Sequence, residues 1–485
     1  MNGFRLISVD HGGRLLQLSP EDAPSTSSNY FTVLIGKNGS GKSRFLAELC
    51  KSFLAMDEDL HSSVNRFHLL DPQSVFDVTY VLAGRKISVT RSRRSVTFDG
   101  ADWNGAAKPT RVIATTITPF DKFPIPRSRS ELPAEDAVYR YLGAKNRYGQ
   151  ASGSGQLSRV VESLIFATHK LAADRLRLSQ VFDLLGYKPR IQIEYRPRFS
   201  ARTLERLDPG RGGDPIEAMS ILLRNTTFRS RFNQEATIDH QRSQQLLSCV
   251  ETLAGRTERG RLTFEVDFAS GYRTPDLFEL YADINELRRY GLISLTGLKL
   301  ERRTSNTQID LKEASSGEQS IAVTILGIAS EMQDNSLVVI DEPEISLHPE
   351  WQEEFIPLLS STFSSYSGCH FLLATHSPLL LSRSDPKNTS VFLMDDNSLV
   401  SSERFSQRSS DYQLATAFDT PGYRNEYLMR EGLLALSLAA QGKTDTSEFL
   451  SRQQLLQNSK PHLEPDDPVY AIAEALANTF VGNET

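Results

Sequence analysis

Lys42 and Ser43 close the run Gly36-Lys37-Asn38-Gly39-Ser40-Gly41-Lys42-Ser43, which has the spacing G-x-x-x-x-G-K-[ST]. Glycines at these positions let the backbone curl until its N–H groups surround phosphate oxygens. A helix beginning there adds the positive end of its dipole. Lys42 then suits the β- and γ-phosphates of ATP, and the Ser43 hydroxyl suits Mg²⁺. A glycine-rich turn that binds nothing would have the same composition, so context must decide. Phe31 to Ile35 is a short apolar run of β-formers, and Phe45, Leu46 and Leu49 repeat at helical spacing. The run therefore lies between a strand and a helix, the arrangement that phosphate binding requires.

A second strand, Leu337 to Ile340, runs into Asp341-Glu342. Acids at the carboxyl end of a strand in an α/β sheet stand where ligands bind. Asp341 suits Mg²⁺, and Glu342 suits general-base or water-orienting work beside a γ-phosphate. Two solvated acids at a strand end are the alternative. Phe371 to Ala374 is a third strand, followed by Thr375-His376. His376 thus occupies another strand end and can meet the same phosphate. Ser315-Ser316-Gly317-Glu318-Gln319 precedes an apolar helix. The serines can cap that helix, or the helix end can face an anion; both readings stand on the residues alone.

Taken in order, the phosphate loop, Ser-Ser-Gly-Glu-Gln, the Asp-Glu strand and the strand-end histidine resemble the ABC-type ATPases, in the soluble branch that includes the SMC proteins and RecF. The resemblance covers residues 30–45 and 312–382. It implies an α/β fold: an ATPase head with a phosphate-loop mixed sheet, an antiparallel β layer, a helical insertion and a helical C-terminal region. It also implies that Ser316, Gly317, Glu318 and Gln319 of one copy cap ATP held by the Gly36–Ser43 loop of another. Leu347-His348-Pro349 falls where the family's dimer-contact loop lies, and His376 matches its switch histidine. One departure is clear. The family places a Gln after a strand that follows the phosphate-loop helix. The strand Arg111 to Phe123 has none, leaving Thr116, Thr118 and Asp121 as polar candidates. That puts fast hydrolysis in doubt and leaves ATP binding intact.

The elements that must position these residues divide the chain into expected regions. Residues 1–130 carry the phosphate loop among short strands, several alternating as in an antiparallel layer. Residues 131–290 read as a mainly helical insertion that includes one strand, "RIQIEYRPRF", without sustained heptads. Residues 291–400 rebuild the sheet, with a hairpin around Asp396-Asn397, and residues 401–485 read as helical. Gly149 to Gln156 reads as an exposed loop.

Composition limits the function. At 485 residues the chain suggests two or three packed regions. No apolar run approaches the ~20 residues of a membrane span, and the N-terminus lacks the apolar centre of a signal peptide. Three scattered cysteines without metal-ligand spacing fit a reduced cytoplasm. The net charge of −6 argues against general nucleic-acid binding. Two basic stretches remain: Arg85, Lys86, Arg91, Arg93 and Arg94; and Lys188, Arg190, Arg196, Arg198, Arg202, Arg206 and Arg211. They read as phosphate contacts to nucleic acid or as solvated surface.

With no nuclease cluster legible, the expected role is an ATPase that dimerises around ATP and controls a separate effector. In overall layout the chain looks like the ATPases of Septu and retron-associated antiphage systems, a resemblance that implies an HNH nuclease partner. A RecF- or SMC-like DNA-repair ATPase, and a defence ATPase with another effector, are the alternatives.

Overall fold

The computed structural model describes residues 3–20, 28–54, 76–91, 96–98, 101–102, 108–125, 137–145, 155–200, 214–223 and 239–478. Arg93, Arg94, Arg202, Arg206 and Arg211, and residues 149–154 of the glycine–serine stretch, lie outside them. The fold is α/β, with a sheet of parallel and antiparallel pairings and separate antiparallel sheets. The chain divides into two compact units. One comprises Met1–Ser52, Phe67–Thr110 and Asp334–Thr485; the other comprises Phe53–Arg66 and Arg111–Gln333.

In the first unit the strands Leu337–Asp341, His370–Thr375, Tyr30–Ile35 and Thr389–Leu393 lie side by side and parallel. Every residue of the four is buried, as expected of parallel strands covered on both faces. The antiparallel strand Ser398–Ser401 closes the Asp396-Asn397 hairpin. Register does the positioning. Ile35 pairs with Thr375 and with Leu393, and Asp341 pairs with Ala374. The strand ends are therefore level, and Gly36, Glu342, His376 and Met394 are the first residues beyond a common edge.

A six-stranded antiparallel sheet belongs to the same unit: Arg14–Gln17, Arg5–His11, Phe76–Leu82, Arg85–Arg91, Val96–Phe98 and Ala101–Asp102, in that order. In Phe76–Leu82 the buried Phe76, Val78 and Tyr80 alternate with half-buried neighbours, the period-2 pattern of a one-sided strand. Arg91, expected in a surface basic patch, is instead 1% exposed. It pairs with Glu48 of the phosphate-loop helix at 2.8 Å and lies over the Phe76 ring. Helices Glu426–Ala440, Ser447–Ser459 and Pro468–Asn478 share an apolar core that includes Leu428, Phe449, Leu456 and Val469.

The second unit holds a five-stranded antiparallel sheet ordered Tyr272–Arg273, Leu262–Asp267, Tyr187–Pro197, Ile293–Arg302 and Gln308–Asp310. Helix Ala172–Leu184 packs on the central strand, and helix Leu277–Arg289 packs on Ile293–Arg302. Strands Val112–Thr116 and Tyr139–Tyr141 pair in parallel. Helix Ser316–Glu331 is buried from Ser320 to Ser330 and packs against Gly155–Ala167.

Candidate active site

The Gly36–Ser43 loop joins the buried Tyr30–Ile35 strand to helix Lys42–Leu54. Gly39 and Gly41 adopt φ of 86° and 94°, a region that side chains disfavour, so the loop's curl depends on them. The Lys42 ammonium turns back into the loop. It donates to the Gly36 carbonyl at 2.7 Å and the Lys37 carbonyl at 3.3 Å, and meets His376 Nδ1 at 3.3 Å. Burial lowers its pKa, opposed by Asp395, Glu342, Glu344 and Asp341. Ser40 Oγ is buried without a hydrogen-bond partner, an unsatisfied donor in the loop where a phosphate oxygen would suit it.

The neighbouring strand ends complete the group. Ser43 Oγ donates to Asp341 Oδ1 at 3.1 Å. A hydroxyl beside one buried carboxylate suits Mg²⁺, which takes few protein ligands and relies on phosphate and water for the rest. Among the described residues no group of three or more His, Cys, Asp or Glu stands ready to hold a metal. Glu342 sits at φ 51°, a strained conformation for a non-glycine residue of the kind that collects at functional sites. Its N–H donates to the Ala374 carbonyl at 2.9 Å. His376 Nε2 lies 3.8 Å from Glu342 Oε1. An ammonium can only donate, so the Lys42 contact makes His376 Nδ1 an acceptor and leaves its proton on Nε2, facing Glu342. Burial and Lys42 hold the imidazole neutral, with its pKa lowered to about 4.

Sequence reasoning missed two participants. The half-buried Glu344 accepts the His376 N–H at 2.6 Å and so fixes the histidine's backbone, and burial raises its pKa. Its signal was its place two residues beyond Glu342. Asp395, legible only as a hairpin residue, accepts the Lys37 N–H at 2.9 Å. Asp395 thus joins the hairpin to the loop, while the Lys37 ammonium reaches Asp419 at 3.4 Å.

The candidates Asp121 and Ser316 to Gln319 lie in the second unit. Ser315, rather than Ser316, caps helix Ser316–Glu331: its Oγ accepts the Glu318 N–H at 3.3 Å. Ser316 is exposed, and Gly317 and Gln319 are half-buried. Glu318 Oε1 accepts from Tyr187 Oη at 2.6 Å and from Arg302 at 2.7 Å. Asp121 is committed within its own unit. Its side chain is fully buried, accepting from Tyr141 Oη at 2.8 Å and Phe123 N–H at 3.0 Å, with the Lys145 ammonium 3.7 Å away. Thr116 Oγ1 accepts from Thr118 N–H, and Thr118 Oγ1 from Phe120 N–H, each at 3.2 Å. In the first unit, Leu347 is buried, and His348 stands at the N-cap of helix Pro349–Thr362.

Comparison with known proteins adds a class to this geometry. Residues 152–382 match the family model "AAA domain, putative AbiEii toxin, Type IV TA system". The chain is similar to the Retron Ec83 probable ATPase of Escherichia coli, 30% identical over 115 residues, covering 20% of this chain and 21% of that protein. It is also similar to the Retron Vc95 probable ATPase of Vibrio cholerae serotype O1 biovar El Tor, 30% identical over 88 residues and covering 16% of each. The matched segments thus span about a fifth or less of these relatives. The SMC head domain from Thermotoga maritima aligns over 82% of this chain and 98% of its own at 12% identity, with a TM-score of 0.34. Over residues 152–382 the chain is thus similar to an AAA domain, and retron ATPases are among its relatives. No described helix is long and apolar enough to cross a membrane.

Proposed function

We propose that the chain binds and hydrolyses ATP, dimerises around it, and regulates a separate nuclease effector in antiphage defence. The observation that carries the nucleotide reading is the gathering of Lys42, Ser43, Asp341, Glu342 and His376 at one edge of the parallel sheet. In this reading the N–H groups of Gly36 to Ser43 cradle the phosphates, and Lys42 leaves its carbonyl partners for the β- and γ-phosphates. Ser43 and Asp341 would hold Mg²⁺, whose charge would offset the acids around the loop and the polyanionic substrate. Water attacks the γ-phosphorus, the bond to the β-bridging oxygen breaks, and Glu342 takes the water's proton. His376 Nε2–H donates to a γ-phosphate oxygen. Ser316 and Gly317 cap that γ-phosphate from a second copy. Support for this last role is that Ser315 does the capping, which leaves Ser316 exposed.

The defence role rests on the retron ATPases among the relatives, and an HNH nuclease is the effector the sequence resemblance suggests. Purified protein should release ADP and phosphate from ATP with Mg²⁺ and stop when the metal is chelated. Co-expression with its neighbouring genes should lower phage plating, and the Lys42→Ala chain should not. Turnover unchanged by chelation overturns the metal-dependent site; protection that survives Lys42→Ala overturns the regulatory link.

A further inference from the structure

Ser315 and Glu318 have the spacing of a capping box, in which a Glu in the first helical turn reaches back to the N–H of the capping residue. Only half of that box is made. Ser315 Oγ accepts the Glu318 N–H at 3.3 Å, but no described residue accepts the Ser315 N–H. The Glu318 carboxylate is turned to the five-stranded sheet instead. Its Oε1 accepts from Tyr187 Oη at 2.6 Å and from Arg302 Nη2 at 2.7 Å. One oxygen thus holds a phenol and a guanidinium together, and bonds to an ionised acceptor are stronger than neutral ones.

The sheet is built to make this contact. Tyr187 opens the strand Tyr187–Pro197, Arg302 ends the strand Ile293–Arg302, and the two are direct partners in the antiparallel register. Directly opposed residues put their side chains on one face, so both reach the same carboxylate. Tyr187 is buried. Burial, with the neighbouring Glu318, holds its phenol above the ordinary range, so it remains a donor. The base of the pair is tied as well. The Arg303 N–H donates to the Gly186 carbonyl at 3.0 Å, and the Arg303 guanidinium meets Asp183 at 2.6 Å.

This contact decides where a negative charge sits. A carboxylate in the first turn is drawn to the positive end of its helix. Unheld, Glu318 would close the capping box at Ser315, beside the exposed Ser316. In the proposed dimer the same helix end faces a neighbour's γ-phosphate, and two anions there repel. We infer that Tyr187 and Arg302 are positioning residues for ATP hydrolysis in trans: they hold Glu318 out of its capping box and so keep the Ser316–Gly317 helix end open to the γ-phosphate bound by a second copy. The role rests on the trans arrangement proposed for Ser316 and Gly317. It adds two residues, distant in sequence from the Ser-Ser-Gly-Glu-Gln run, that fit this helix end to an anion.

The test measures steady-state ATPase rate and labelled-ATP affinity of the full chain with Mg²⁺. Arg302→Ala frees the carboxylate. It should lower kcat at least ~10-fold, the scale for misplacing groups at a reacting centre, and keep ATP affinity within ~2-fold, because Lys42 and its loop are untouched. Tyr187→Phe keeps the ring, removes one donor and should lose less. The decisive chain is the double variant Arg302→Ala/Glu318→Gln. With the charge gone, the repulsion goes, and kcat should recover at least ~5-fold over Arg302→Ala. A merely structural contact predicts no recovery, since removing its second partner cannot restore it. If Arg302→Ala melts early, the same comparison is made between Arg302→Gln and Arg302→Gln/Glu318→Gln. Parental kcat in the folded Arg302 and Tyr187 variants overturns the inference, as does a double variant no faster than its Arg302 parent. Gly317→Asp separates this role from its premise. Parental turnover there removes the trans arrangement and the positioning role with it; loss there, beside parental turnover in the Arg302 and Tyr187 variants, overturns the positioning role alone.

Discussion

His370 begins the His370–Thr375 strand and His376 follows its last residue, so one strand carries an imidazole at each end. His370 is completely buried. Its Nδ1 accepts the Leu6 N–H at 3.0 Å, and its Nε2 meets Thr32 Oγ1 at 2.9 Å. Thr32 donates its own proton to the Leu18 carbonyl at 2.6 Å, so Nε2 must carry the histidine's proton. Every hydrogen-bonding position of that ring is used. His376 is neutral with the same tautomer, yet its Nε2 lies 3.8 Å from Glu342 Oε1, too long for a hydrogen bond. The amino end of the sheet closes its polar groups on one another; the carboxyl end leaves them incompletely met. In a parallel sheet the second is where ligands bind.

The sharpest way to break this contrast is to remove the cation at the open end. Lys42→Ala should abolish ATP binding, since one substitution takes away both the charge and the donors to phosphate, while the melting temperature stays near that of the parent. Labelled ATP retained at parental affinity would show that the loop is not a phosphate site. Next in size, Glu342→Gln should keep ATP bound and slow its cleavage at least ~100-fold, the scale for losing a positioned base. Turnover at the parental rate would place the base elsewhere. Asp121 is a poor substitute, because its carboxyl is already spent on Tyr141, Phe123 and Lys145.

The open end was legible in the sequence and the closed end was not, for a physical reason. Gly36 to Ser43, Asp341, Glu342 and His376 each lie next to an apolar strand that is read directly, so their convergence needs only a parallel sheet with level ends. The role of Glu344 depends on a turn beyond Pro343, and that of Asp395 on which residue of a hairpin meets the loop. Spacing encodes neither. His370 is held by Leu6 and Thr32, more than 300 positions away, and no local pattern reports such a contact. Arg91 misled in the same way: among Arg85, Lys86, Arg93 and Arg94 it reads as surface, but its partner Glu48 lies on another element.

A third test asks whether the open end is completed by another copy. If Ser316 and Gly317 serve only their own helix, Gly317→Asp should cost modest stability and leave nucleotide behaviour unchanged. If they meet a neighbour's γ-phosphate, the new carboxylate stands against an anion. Like charges ~4 Å apart repel by about 4 kcal/mol at an effective dielectric of ~20. Gly317→Asp should then fold and bind ATP but hydrolyse little. Mixing it with Lys42→Ala should restore part of the activity, because one composite site regains an intact loop and an intact Ser-Gly end. The measurement is ATPase rate across mixing ratios once subunit exchange is demonstrated. Parental turnover in Gly317→Asp alone sinks the trans arrangement.

The smallest effect separates the two histidines by pH. Burial holds His370 well below the usual histidine range, and His376 is lowered to about 4. A histidine that is neutral when folded and ordinary when unfolded takes up protons on unfolding as pH falls below ~6.5. The stability it contributes is therefore present above ~6.5 and lost progressively toward the folded pKa, by at most about 1.4 kcal/mol per pH unit for each such group. Both imidazoles add to this slope in the free protein. They should part company when Mg-ATP is bound. A γ-phosphate beside His376 favours its charged form, raises its folded pKa toward the ordinary value and removes its share of the slope. His370, closed among Leu6, Thr32 and Tyr30, should keep its share. Denaturant melts between pH 5.5 and 7.5 should thus show a shallower pH dependence with Mg-ATP than without. His376→Gln should give that shallower slope without nucleotide and no further change with it. An unchanged slope on adding Mg-ATP to the parent, under conditions where binding is saturated, would place the γ-phosphate away from His376.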